Sequence, residues 1–185
     1  QEVKPSITSY PKGPARTDCA GATCTYAEEI TNFANWFAYY RARMLMMKTS
    51  SGLAFHKLNP TNANATDVAY RVGFHTINNT ATLANAPFGG NSGTSQKANW
   101  YTNLYATNAI STTPLRQALA RVGRYFAGEL ATSAPFNQDP IEYSCQQNVA
   151  FLTTDGFWNG AGGVQLDGTT AIGDQDGVAG TARPF

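Results

Sequence analysis

The sequence predicts an α/β fold with a mostly parallel sheet covered by helices. Three observations carry this expectation: two stretches with strong helical periodicity, β-favouring runs at residues 68–78 and 148–153, and helix-length connections that separate those runs. Strands joined through helices need crossover connections, which leave the strands parallel and place the helices on the sheet faces. With 42% hydrophobic and 14% charged residues in 185, there is apolar material for one ordinary core.

Residues 1–25 come first and fit neither period. Pro5, Pro11, Pro14, Gly13 and Gly21 punctuate them, so they read as an irregular arm or insertion. The pattern changes at residue 26. Through "YAEEITNFANWFAYYRARMLMMKTSSGLAFHKL", Phe33, Trp36, Phe37, Tyr40, Met44, Met47, Leu53 and Phe55 recur at helical spacings, predicting one long amphipathic helix whose stripe packs into a core. Glu28 and Glu29 suit its start, Thr31 and Asn32 offer an inner cap, and Asn59-Pro60 stops it. "VAYRVGFHTIN" then alternates β-branched and aromatic residues as a strand does. A loop, "TLANAPFGGNSGTSQ", leads to a short helix in "KANWYTNLYAT". A second strong helix follows in "STTPLRQALARVGRYFAGEL", with Leu115, Leu119, Val122, Phe126 and Leu130 on one stripe. The last strand, "NVAFLT", reads as a central one buried on both faces, because such strands are near-continuous apolar runs.

Charge and cysteine usage bound the function. Thirteen basic against 12 acidic side chains give no electrostatic footprint for nucleic acid or a membrane surface. No apolar run is long enough to span a bilayer. Cys19 and Cys24 enclose four small residues in "DCAGATC", a spacing that a disulfide closes across a tight turn and that suits an exported protein. No second cysteine pair or nearby histidine completes a zinc set. Cys145 is left unpaired, either as a small buried apolar group or as half of a disulfide to a partner elsewhere.

The candidate site follows from sheet topology. Ligands of open α/β sheets collect beyond the carboxyl ends of the strands. Asp155 stands where "NVAFLT" stops, and Thr113 stands where the "TPLRQAL" helix starts, so a carboxylate and a hydroxyl converge on one edge. Hard oxygen donors of this kind suit Mg²⁺. Two plainer readings stay open: Thr113 as an N-cap before Pro114, and Asp155-Gly156 as an ordinary turn.

The blocks "TNFANWFAYYRARMLMMKTSSGLAF", "YRVGFHTIN", "TPLRQALARVGRYFAG" and "SCQQNVAFLTTDGFWNG" resemble, in order and spacing, the von Willebrand factor A-like domain of type IV pilus tip adhesins of the PilC/PilY type. The resemblance runs from about residue 26 to the tail "GDQDGVAGTARPF". It implies an arm over 1–25 and a Rossmann-like von Willebrand factor A-type domain over 26–185, incomplete at both ends. It also implies a metal-ion-dependent adhesion site holding Mg²⁺ or another divalent cation (Ca²⁺, Mn²⁺), with Thr113 from its second loop and Asp155 from its third. The Asp-x-Ser-x-Ser loop that supplies the family's other ligands occurs nowhere in the chain, so the site is incomplete here. The resemblance further implies a non-enzymatic adhesion and pilus-biogenesis role, outside the cell at the pilus tip or bacterial surface. The implied partners are minor pilins and a host-cell or abiotic surface. Phe157 and Trp158 are candidates for apolar partner contact. Two alternatives stand beside this: a metal-free scaffold domain, and a secreted α/β hydrolase. The hydrolase lacks a Gly-x-Ser-x-Gly elbow, and its only histidines, His56 and His75, fall in a helix and a strand pattern. "DGTTAIGDQDG" lacks the spacing of a calcium loop and reads as a solvated turn.

Overall fold

A short antiparallel pairing opens the chain. The computed structural model describes residues 2–58, 70–89, 93–110 and 112–173. The chain divides into two units, Gln1–Leu53 and Ala54–Phe185. The Asn59-Pro60 stop, the first residues of the 68–78 strand and the tail beyond residue 173 lie outside the described residues.

In the first unit the arm is ordered by pairing and a crosslink. Strand β1 (Tyr10–Pro11) pairs antiparallel with β2 (Thr23–Cys24), Tyr10 facing Cys24. The expected Cys19–Cys24 disulfide is present, with Cα atoms 5.2 Å apart. Tyr10, Cys19 and Cys24 are buried together against Ile7 and Tyr26. Lys12 Nζ donates to the carbonyls of Cys19 (2.6 Å) and Gly21 (3.1 Å), and Arg16 spans Asp18 and Glu29, so polar groups close the loop that the disulfide ties.

The long helix expected over 26–58 is two helices, α1 (Tyr26–Tyr39) and α2 (Arg43–His56). Thr25 and Glu28 form a reciprocal capping box, so the start lies at the outer position and not at Thr31. No glycine or proline marks the break at residues 40–42. The Thr49 hydroxyl donates to the Tyr39 carbonyl (3.0 Å), satisfying an acceptor that the break frees. The stripe of α1 is not core. Phe33, Trp36, Phe37 and Tyr40 are exposed, and α1 has no buried residue. The only sheet among the described residues of this unit is the two-residue pairing, so the rings meet one another, Phe33 lying 5.8 Å from Trp36 and 6.1 Å from Phe37.

The second unit is organised by a hairpin the sequence shows only in part. Strand β3 (Arg71–His75) lies within the expected strand, but it pairs antiparallel with β4 (Thr82–Pro87), inside the stretch that reads as a loop. The connection is held by Thr76, whose hydroxyl accepts the amides of Thr80 (2.8 Å) and Ala81 (2.9 Å). The register shifts between Val72 and Phe74, and at Gly73 a Cβ would meet Asn85 Oδ1 at 2.5 Å and the Leu83 carbonyl at 2.8 Å. This bulge needs glycine.

One helix packs on the hairpin, and a second reaches it through Tyr125 and Arg121. Helix α3 (Gln96–Ala106), N-capped by Ser95, sends Gln96 Nε2 to the carbonyls of Val72 (2.7 Å) and Ala84 (2.8 Å). Trp100, Leu104 and Phe88 are buried, and Phe55 stacks on Trp100 with ring centres 4.4 Å apart. Helix α4 (Leu115–Phe126) buries Ala118 and Tyr125, whereas Leu119 of the expected stripe is 53% exposed. The Tyr125 hydroxyl accepts the Asn85 amide (3.0 Å), and its ring stacks on Phe136 (4.5 Å). A turn at residues 167–170, where Asp167 accepts both the Thr169 and Thr170 amides, closes the Val164–Ala171 bridge.

Every paired strand among the described residues is antiparallel. Residues 148–153 form no strand and are exposed throughout, Val149 at 74%. The expectation of a strand buried on both faces is therefore not met in this chain. A central parallel strand needs a neighbour on each side, and none of the described strands lies beside it.

Candidate functional site

The start of α4 and the loop that carries Asp155 meet at Thr113 and Asn159. Thr113 precedes Pro114, which stands at the N-cap of α4 with φ −80° and ψ 62° and makes no side-chain cap. The reading of Thr113 as the N-cap is thereby set aside, and no hydrogen bond to its hydroxyl is found among the described residues. The Thr113 carbonyl accepts from Leu115 (2.9 Å) and from the Asn159 amide (3.0 Å), while the Thr113 amide donates to Asn159 Oδ1 (2.6 Å). The chain leaves this contact at Gly160, whose φ of +99° belongs to glycine and where a Cβ would lie 3.5 Å from Pro114 Cβ. A second contact lies beside the first: the Arg116 guanidinium sits 4.1 Å over the Trp158 ring.

Each expected site residue has a definite place. Thr113 is half-buried at the corner. Asp155 is exposed, four positions before Asn159, in a turn where Gly156 takes φ +93° and donates its amide to the Thr154 hydroxyl (3.2 Å). Phe157 is 73% exposed and Trp158 45%, so neither is core. Cys145 is free and exposed, which excludes its reading as a small buried apolar group.

The loop contact is made by Asn159, and Asp155 lies four positions before it in the same exposed loop. Mg²⁺ demands an octahedron of oxygens, so two protein ligands leave most positions to water and hold it weakly. The described residues include one trio of metal-type side chains, Cys19, Cys24 and Glu29, but both sulfurs are spent in the disulfide.

Asn159 and Arg116 were not visible as site residues in the sequence. Asn159-Gly160 is an ordinary turn signal, and only the tertiary contact shows its acceptor reaching an amide 46 residues away. His75 lies in β3, away from the corner residues named above. Its Nδ1 lies 2.6 Å from the Thr82 hydroxyl, and burial, with the nearby Arg121 charge, pushes the imidazole down to about 4.

Comparison with known proteins gives one consistent result. No family model matches the chain, and no solved structure matches it. The type IV pilus biogenesis factor PilY1 of Pseudomonas aeruginosa strain UCBPP-PA14 is 35% identical over 152 residues, covering 80% of this chain and 13% of the relative. The PilY1 of strain PAO1 is 32% identical over 161 residues, covering 78% and 13%, and that of strain PAK is 33% identical over 151 residues, covering 72% and 12%. The chain thus spans about an eighth of the length of the curated relatives it matches. Through four-fifths of its residues the chain is related by sequence to one segment of the PilY1 type IV pilus biogenesis factors.

Proposed function

We propose that the chain is part of a pilus-tip adhesion and pilus-biogenesis module outside the cell. It holds the second and third loops of a metal-ion-dependent site on a von Willebrand factor A-like, Rossmann-type domain. The observation that supports this most is the direct pairing of Thr113 with Asn159, which joins the two loops that carry the oxygen donors. In this reading the parallel sheet and the remaining ligands come from outside the chain, and the exposed run at 148–153 is a strand awaiting its neighbours. The named role of the PilY1 relatives is consistent with it. Thr113 supplies a neutral oxygen, Asp155 supplies charge, and an acidic group on a minor pilin or a host or abiotic surface completes the cation's shell. Phe157 and Trp158 add apolar contact around that bond. No step requires the chain to act as an enzyme.

Titration calorimetry with Mg²⁺ on the full-length protein tests the proposal. Thr113→Ala and Asp155→Ala should each weaken binding by about tenfold or more, as loss of a direct ligand does. Full-length protein that binds no divalent cation, or binds it equally well in both variants, would leave the scaffold reading in its place.

A further inference from the structure

We infer that Asn159 is a positioning residue, a latch that registers the Asp155 loop against Thr113 before any cation arrives. Its role toward a cation rests on the reading above; the latch itself rests on the geometry. Residues 147–158 carry no ladder that would fix their place. At one end of the loop the Phe151 ring lies edge-on to Phe55 with centres 6.2 Å apart, and at the other Asn159 is bonded to Thr113 twice. Asp155 stands midway, four residues from each anchor.

The two ends are unequal. Phe151 is 70% exposed and its contact is apolar and non-directional. The Asn159 contact is directional, because one residue satisfies both the amide and the carbonyl of Thr113. The side-chain oxygen of Asn159 is the acceptor for the Thr113 amide, and so holds this turn of chain. The Arg116–Trp158 stack then limits rotation about the latch. Groups that orient metal ligands without touching the metal act in this manner.

The test uses the full-length protein with Asn159→Leu, which removes the acceptor at similar size, and Asn159→Asp, which keeps it. Two readouts are needed: hydrogen exchange at the Thr113 amide, and Mn²⁺ affinity by calorimetry. Asn159→Leu should expose the Thr113 amide to exchange and weaken Mn²⁺ binding by about tenfold, within the range seen for outer-shell residues. Asn159→Asp should restore both. If wild type binds Mn²⁺ and Asn159→Leu binds it equally well, or if Asn159→Asp is as weak as Asn159→Leu, the positioning role is wrong. A wild-type protein that binds no Mn²⁺ overturns the adhesion-site reading and the role toward a cation with it, and the exchange data then report the latch alone.

Discussion

His75 shows how a single side chain ties the second unit to pH. Its Nδ1 is satisfied by Thr82, its Nε2 is buried with no partner among the described residues, and Phe136 and Arg121 stand near it. The folded value of about 4 lies below the ordinary 6.5. The unfolded chain therefore takes up a proton first as pH falls, and the stability that neutral His75 contributes is complete above about 6.5, declines below it, and is gone below about 4. Melting temperature should fall across that window in the wild type and fall less in His75→Gln; equal slopes in the two proteins would refute the assignment. Asp167, held down to about 2 by the Thr170 hydroxyl and the amides of Thr169 and Thr170, acts in a separate and more acidic window. Gly73 is the other decisive residue. A methyl group there meets two oxygens inside 3 Å, so Gly73→Ala should cost about 1 to 3 kcal/mol in urea denaturation. A change under about 0.5 kcal/mol would mean that the bulge yields.

Among the elements, the contrast is between aromatic residues that are covered and those that are not. Trp100 is buried and touches Phe55, Phe74 and Phe88, so Trp100→Ala should cost about 3 to 5 kcal/mol. Trp36 on α1 is half exposed, and Trp36→Ala should change the stability of this chain by less than about 1 kcal/mol. Paired denaturation curves decide this, and a large loss at Trp36 would show that α1 is covered after all. The arm behaves differently again. Cys19 and Cys24 are five positions apart, and closing so short a loop contributes about 2 kcal/mol by the chain-entropy argument. Cys24→Ser should lower stability by that order, and a thiol titration of the oxidised wild type should find one free group, Cys145.

At the scale of the whole molecule, the match to only about an eighth of each relative sets the expectation for cation binding. On the proposed reading, with two candidate protein ligands, this chain by itself should bind Mg²⁺ weakly, and a longer protein that carries the remaining ligands should bind it more tightly at the same corner. Calorimetry on both decides the matter, and tight binding by the chain alone, lost on Thr113→Ala, would mean that no further loop is needed. A net charge of +1 gives no long-range steering, so binding to a partner surface should depend on local contacts and only weakly on ionic strength.

What the residues determined by themselves were the features decided within a few positions. The Cys19–Cys24 disulfide, the acidic first turn of α1 at Glu28 and Glu29, the helical character of α3 and α4, and the relation to pilus factors are all legible in the order of the residues alone. Caps, short crosslinks and helical period need only neighbours along the chain. What the tertiary structure decided was pairing and cover. Strand β4 has two alanines, an asparagine and a proline among its six residues, so its place in a ladder came from the Thr76 turn and from β3. The stripe of α1 and the run at 148–153 have core-like composition, yet composition states only that a surface is fit for burial. Whether it is buried depends on what lies against it, and among the described residues nothing buries them. The Thr113–Asn159 latch belongs to the same class, because two hydrogen bonds across 46 residues exist only once the fold has brought their ends together.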